Sequence, residues 1–211
     1  QVNTGGGFQN IAAAAGLAAT GWSWSSKFAD LDQDGLLDLY VVNGMIAAEL
    51  FSGLPQNQWV EPNQALRNGG NRRFFPAPQW RLDARSSGRG MSMADFDNDG
   101  DLDIVVNNLL SPALLFENQI CGGSSLLVDL HWPQQANNRA LGAVLRLHTS
   151  HGVYTRDVRA ASGYLSGDPA RVHFGLPAGA TISQLEITWP DGARSQVEAP
   201  AANVRLSISR N

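Results

Sequence analysis

Apolar and polar residues alternate with a period of two through most of the second half of the chain. The runs are LLVDLHW (126–132), AVLRLHT (143–149), VYTRDVR (153–159), RVHFGL (171–176), ISQLEITW (182–189) and NVRLSIS (203–209). That period sends neighbouring side chains to opposite faces of an extended backbone, so each run reads as a half-buried strand. The turn formers SHG, SGD, PAG and PDG separate them, and six strands about ten residues apart predict a small β-sandwich or barrel. In the first half the apolar runs are shorter. LYVVNG (39–44) and IVVNN (104–108) are β-branched, end in Asn or Gly, and also read as strands. Segment 11–19, IAAAAGLAA, has helical composition, but Gly16 and the absence of a cap leave a short helix and an irregular segment equally open. The predicted fold class is all-β.

Each short run follows an acidic segment of one pattern, DLDQDGLLD (30–38) and DFDNDGDLD (95–103), and the two hold nine of the 19 acidic residues. In such a loop the carboxylates at positions 1, 3, 5 and 9 converge on one point. The Gly at position 6 permits a sharp turn, and the carbonyl at position 7 completes an oxygen shell. The ligands so predicted are Asp30, Asp32, Asp34, Asp38 and the Leu36 carbonyl at one site. At the other they are Asp95, Asp97, Asp99, Asp103 and the Asp101 carbonyl. Crowded carboxylates repel without a counter-charge, and all-oxygen ligation favours calcium over zinc or copper, two ions in all. A single Asp/Gly-rich stretch also reads as a solvated turn; two copies of the same spacing favour the metal. The helix-loop-helix calcium hand is excluded, because position 12 is Val41 or Val106 rather than Glu and strands follow.

Outside the loops the charge balance reverses. Setting the nine loop aspartates aside leaves 10 acidic residues against 15 Lys and Arg, all Arg except Lys27. The acidity is therefore local, and no basic stripe with interleaved aromatics suggests nucleic acid as a partner. No apolar run reaches membrane-spanning length, and the opening QVNTGGG has neither a charged nor a hydrophobic leader region. The single cysteine, Cys121, is either an inert thiol or half of a bridge to another chain or segment. Weak calcium sites fill at the millimolar calcium found outside cells, which favours a secreted, periplasmic or cell-surface location.

The loops lie within longer repeated units. One opens with GGGF (5–8) and reaches FADLDQDG through WSWSSK; the other opens with GGNRRFF (69–75) and reaches MADFDNDG. Each unit reads as a small antiparallel sheet with a metal-pinned turn, like a propeller blade. FADLDQDGLLDLYVVNG and MADFDNDGDLDIVVNN resemble the FG-GAP or VCBS calcium-binding repeats, which form β-propellers in integrin-like and bacterial extracellular proteins. The resemblance spans about residues 5 to 118 and implies calcium at a blade edge, held by the Asp positions already named. GYLSGDPARVHFGL from Gly163 and LEITWPDGARS from Leu185 resemble the ASPIC/UnbV domain, which follows such repeats in the cartilage acidic protein-like family. The expected organisation is a repeat region at 1–118, a linker at 119–125 and a β domain at 126–211. Two blades do not close a ring, so the strand flank near Val41 and Val105 is expected to be covered by the second domain, by further blades of a longer chain or by a partner.

No nucleophile elbow, zinc helix, Walker loop or dinucleotide fingerprint is present, and no catalytic residue is predicted. His148 and His151 flank one turn, and Asp157, Arg159 and Asp168 sit near others; each reads as a solvated or packed residue. Trp22 and Trp24 alternate along an extended segment and are candidates for stacking on a protein or glycan partner, against the alternative of core packing. The function predicted is a non-enzymatic, calcium-stabilised extracellular binding or structural module. The alternative is an accessory domain of an exported carbohydrate-active or tailoring enzyme.

Overall fold

The computed structural model describes residues 1–45, 61–120 and 122–210, so Trp59 and Cys121 lie outside the described residues. Strands β1 (Val2–Asn3) and β2 (Phe8–Gln9) form a short antiparallel hairpin. The alanine-rich segment makes one helical turn, α1 (Ala12–Ala15), which stops where Gly16 takes the left-handed cap at φ 79°.

Two antiparallel sheets follow. The first contains β3 (Ser23–Ala29), β4 (Asp38–Asn43), β5 (Gln64–Asn68) and β6 (Phe74–Pro76) in that spatial order. In the second, β7 (Gly88–Ala94), β8 (Asp103–Asn108) and β9 (Leu114–Phe116) are likewise in sequence order. Both acidic loops are hairpin connections, from β3 to β4 and from β7 to β8. β4 is buried at every position, which is why DLYVVN carries an unbroken apolar centre rather than an alternating one. Tyr40 and Val42 pack with Met91, Met93, Ile104 and Val106 of the second sheet. Leu39 and Val41 pack the other way, with Leu66, Leu17 and Phe74. Each such buried side chain contributes roughly 1.5–3 kcal/mol.

The remaining strands are β10 (Ser124–His131), β11 (Val144–Thr149), β12 (Gly152–Asp157), β13 (Arg171–Leu176), β14 (Ile182–Thr188), β15 (Arg194–Glu198) and β16 (Val204–Ser209). They form two sheets, β13-β10-β16 and β12-β11-β14-β15, with β10 and β16 parallel. Leu126, Val128 and Phe174 from the first share one core with Leu145, Leu147, Leu185 and Ile187 from the second. The domain is therefore a sandwich rather than a barrel, and the all-β expectation holds, with no sheet closed on itself among the described residues.

Three expectations change. β15, RSQVE, is a seventh strand whose exposed, polar character hides it from a hydrophobic pattern. The Phe74–Pro76 strand that opens the second sequence unit belongs to the first sheet, so unit and sheet are offset by one strand. Val41 and Val105 are not on a flank, because β4 and β8 each have a partner on both sides. The inner edges belong to β3 and β7 instead.

Those edges are covered by the loop that precedes β13. The Asp168 carboxylate accepts from Lys27 Nζ of β3 at 2.6 Å, from the Met93 backbone N–H of β7 at 2.8 Å and from Ser162 Oγ at 2.6 Å. Ser166 Oγ accepts from the Met91 N–H at 2.9 Å. Two side chains thus satisfy alternate edge amides that a neighbouring strand would otherwise take. Lys27 is almost fully buried, with 3% of its side chain exposed, so its charge depends on this one carboxylate. Asp168→Ala is expected to destabilise the chain by about 3 kcal/mol, because it strands a buried ammonium and an edge amide together. Urea unfolding reads the loss, and faster hydrogen exchange at Met93 localises it.

Candidate metal centre

The two acidic loops are built alike. Asp30 and Asp95 each follow the last residue of an inner strand, and Asp38 and Asp103 each begin the next. Residues at positions 4 and 6 have positive φ in both, 56° at Gln33 and 88° at Gly35, 65° at Asn98 and 102° at Gly100. The glycine at position 6 was legible; the second left-handed residue, which tightens the loop, was not.

Backbone amides hold the loop ends. Asp30 accepts from the Asp34 N–H at 3.1 Å and the Gly35 N–H at 3.0 Å, and Asp95 accepts from the Asp99 N–H at 3.1 Å. Asp38 accepts from Leu31 N at 3.0 Å and Asn68 N at 2.8 Å. Asp103 accepts from Phe96 N at 2.9 Å and Asn118 N at 2.8 Å. Asn68, which ends β5, and Asn118, just past β9, occupy equivalent places, each two residues beyond the strand residue paired with Leu39 or Ile104. Each also donates from Nδ2 to the position-8 carbonyl of its loop, Leu37 at 2.9 Å and Leu102 at 3.3 Å, and accepts from the amide two residues on. Sequence reasoning missed both clamps, although an Asn just past a short apolar run is common to the two units.

Carboxylate oxygens of Asp30, Asp32 and Asp38 lie within 4.8 Å of one another, and so do those of Asp95, Asp97 and Asp99. Asp34 instead turns to the Leu36 N–H at 2.9 Å and to Arg67 at 3.0 Å. Leu36 itself is partly exposed. At position 7 of the second loop the Asp101 side chain is buried, and its Oδ1 has no hydrogen-bond partner. Asp32 Oδ1 is likewise buried and unpartnered. An all-oxygen donor set with orphaned carboxylate oxygens fits a hard cation of the calcium type.

Burial raises several of these carboxyls. Asp30 is pushed up to about 7 although Arg156 opposes the shift. Asp38 is pushed up to about 7 against its two backbone amides. Asp101 reaches about 7 through burial and then the negative charges of Asp99 and Asp103.

The sandwich rests directly on both loops. Arg156 Nη2 donates to the Gly35 carbonyl at 3.2 Å and lies 3.9 Å from Asp30. His173 Nε2 meets the Gly100 carbonyl at 3.2 Å, so Nε2 carries the proton, and burial pushes the imidazole down to about 4. A Cβ on Gly175 would strike the Asp30 carboxylate, and this close approach requires glycine. Trp24 is spent within the chain. Its ring lies 5.0 Å from Tyr164 and 4.3 Å from the Arg89 guanidinium, whereas Trp22 is 51% exposed. His148 approaches Glu186 and His151 meets Ser150, so the two histidines do not combine.

Residues 47–106 match the FG-GAP-like repeat and residues 133–211 match the ASPIC and UnbV domain. The chain is thus similar to an FG-GAP-like repeat in its first part and to an ASPIC/UnbV domain in its second. It is homologous to cartilage acidic protein 1, being 33% identical to the mouse protein over 116 residues and 33% to the human protein over 115. The Xenopus tropicalis protein is 32% identical over 114 residues. These alignments cover 50–53% of the chain and only 16–18% of the relatives. The FG-GAP-like match takes in the second acidic loop and begins after the first, while the ASPIC/UnbV match contains Asp168, Arg156 and His173.

The raised carboxyls set a pH dependence for the two acidic loops without a cation. Their folded pKa values lie above the unfolded value of 3.8, so their stabilising contribution is present below about pH 4 and lost as pH rises through about 7. In chelator, urea unfolding is expected to show lower stability at pH 8 than at pH 5, with calcium reversing the loss at pH 8.

Proposed function

We propose that the chain is a calcium-stabilised, non-catalytic extracellular module with a binding or structural role in a larger protein or surface assembly. The observation that carries this reading is that each loop brings three carboxylates within 4.8 Å of one another and leaves one buried carboxylate oxygen, Asp32 Oδ1 or Asp101 Oδ1, without a hydrogen-bond partner. Asp95, Asp97, Asp99, Asp103 and the Asp101 carbonyl are the proposed ligands of the second loop, with Asp30, Asp32, Asp34, Asp38 and the Leu36 carbonyl as their counterparts in the first. A cation there would neutralise carboxylates that otherwise repel. It would do so in the hairpins that carry the inner blade strands and support the sandwich.

The FG-GAP-like and ASPIC/UnbV matches and the cartilage acidic protein relatives support a non-catalytic role. We assign residues 1–118 to the repeat region and 126–211 to the second domain. Among the described residues no helix is long and apolar enough to cross a membrane. Loops of this kind fill at extracellular calcium concentrations, and a protein or glycan partner fits exposed Trp22.

A ligand that binds only the folded state stabilises by about 2.7 kcal/mol at a hundredfold excess over Kd. Chelation is therefore expected to lower Tm by roughly 5–10 °C under that condition. Asp97→Ala is expected to remove most of the part contributed by its loop. Identical melting curves with calcium and with chelator would exclude the metal.

A further inference from the structure

The two loops differ in one respect that their shared spacing conceals. Arg67 donates from Nε to Asp32 Oδ2 at 2.5 Å and from Nη2 to Asp34 Oδ2 at 3.0 Å. Two of the first loop's carboxylates thus already have a cation, and Arg156 supplies a second beside Asp30. The equivalence of Asn68 and Asn118 identifies the matching position in the second sheet. Leu39 pairs with Leu66 and Ile104 with Phe116, two residues before each Asn, so Arg67 corresponds to Glu117. An anionic residue thus holds the register position that carries a guanidinium in the first sheet, and its Oε1 accepts from Gln119 Nε2 at 3.2 Å.

Among the described residues no Lys or Arg pairs with a carboxylate of the second loop, whereas Arg67 and Arg156 serve the first. The second loop also has five aspartates to the first loop's four. Its additional one, Asp101, is 8% exposed and has the unpartnered oxygen described above.

Resting on the calcium reading, we propose that the loops are unequal cation sites and that Arg67 sets the difference. The second loop binds first. In the first loop Arg67 stands in for the ion, and its guanidinium must leave Asp32 and Asp34 before a cation takes their oxygens. Because 46% of the Arg67 side chain is exposed, that departure displaces no core residue, so the first loop remains a site, with weakened affinity. Glu117, at the register position that Arg67 holds in the first sheet, supplies no competing positive charge to the second loop.

Calcium titration of the chelator-stripped chain by calorimetry tests this, with melting in chelator to establish that each variant is folded. The expected wild-type result is a tight step abolished by Asp99→Asn and a weak step abolished by Asp34→Asn. Arg67→Gln is expected to strengthen the weak step by roughly tenfold, about 1.4 kcal/mol, and to leave the tight step unchanged. Glu117→Arg is expected to weaken the tight step by a similar factor. Two equal steps in the wild type, loss of the tight step in Asp34→Asn, or no response of either step to the Arg67 and Glu117 variants would overturn the inequality while leaving calcium binding intact. No calcium heat at millimolar concentration would remove the metal reading and this inference together.

Discussion

Repulsion among carboxylates confined to two hairpin turns is the constraint on which the rest of the structure depends. Like charges a few ångströms apart are tolerated only when something of opposite sign faces them, and the chain supplies this from several sources. Backbone amides serve the loop ends at Asp30, Asp38, Asp95 and Asp103. Guanidiniums serve Asp30, Asp32 and Asp34. What remains unserved is one buried carboxylate oxygen in each loop, Asp32 Oδ1 and Asp101 Oδ1, and the second loop has no guanidinium among the described ion pairs. The loops are therefore well-ordered turns whose charge is incompletely balanced from within, which is the condition for holding a cation.

The same turns are a docking platform. Arg156, His173 and Gly175 reach the loops from the sandwich, and Asp168 joins the inner strand of each blade-like sheet through one carboxylate. The two parts share polar contacts whose loss leaves buried groups unpaired. A buried polar contact is costly to break from one side, because the abandoned partner keeps its desolvation penalty. The loop before β13 thereby does for β3 and β7 what a neighbouring strand would do.

Legibility in the sequence followed the range of the interaction. The turn glycines and most strands are local patterns, and they appear at the expected places, whereas of the four carboxylates expected to converge in each loop three do. β15 escaped because its RSQVE residues lie on an exposed edge and carry no apolar face. The flank near Val41 was misplaced because β5 is separated from β4 by a long stretch of sequence, and QALRN alternates weakly. Arg67 and Arg156 act on residues 33 to 126 positions away in the chain, so no local spacing announces them. Asp168, taken from sequence as a solvated turn residue, anchors the two parts for the same reason: its partners are 75 and 141 residues earlier.

The parallel pairing of β10 with β16 governs the order in which this chain can fold during synthesis. β10 lies between β13 and β16, with Leu126 opposite Val204, so its neighbours are not both available until β16 has left the ribosome. Both hairpins are made well before that. Translation at about 5–20 residues per second leaves them without the sandwich for several seconds, during which β3 and β7 present open inner edges. Lys27 and the Met91 and Met93 amides then face water or another nascent chain. The late-arriving strands therefore make the edges of β3 and β7 a window for mispairing that closes only when the sandwich docks.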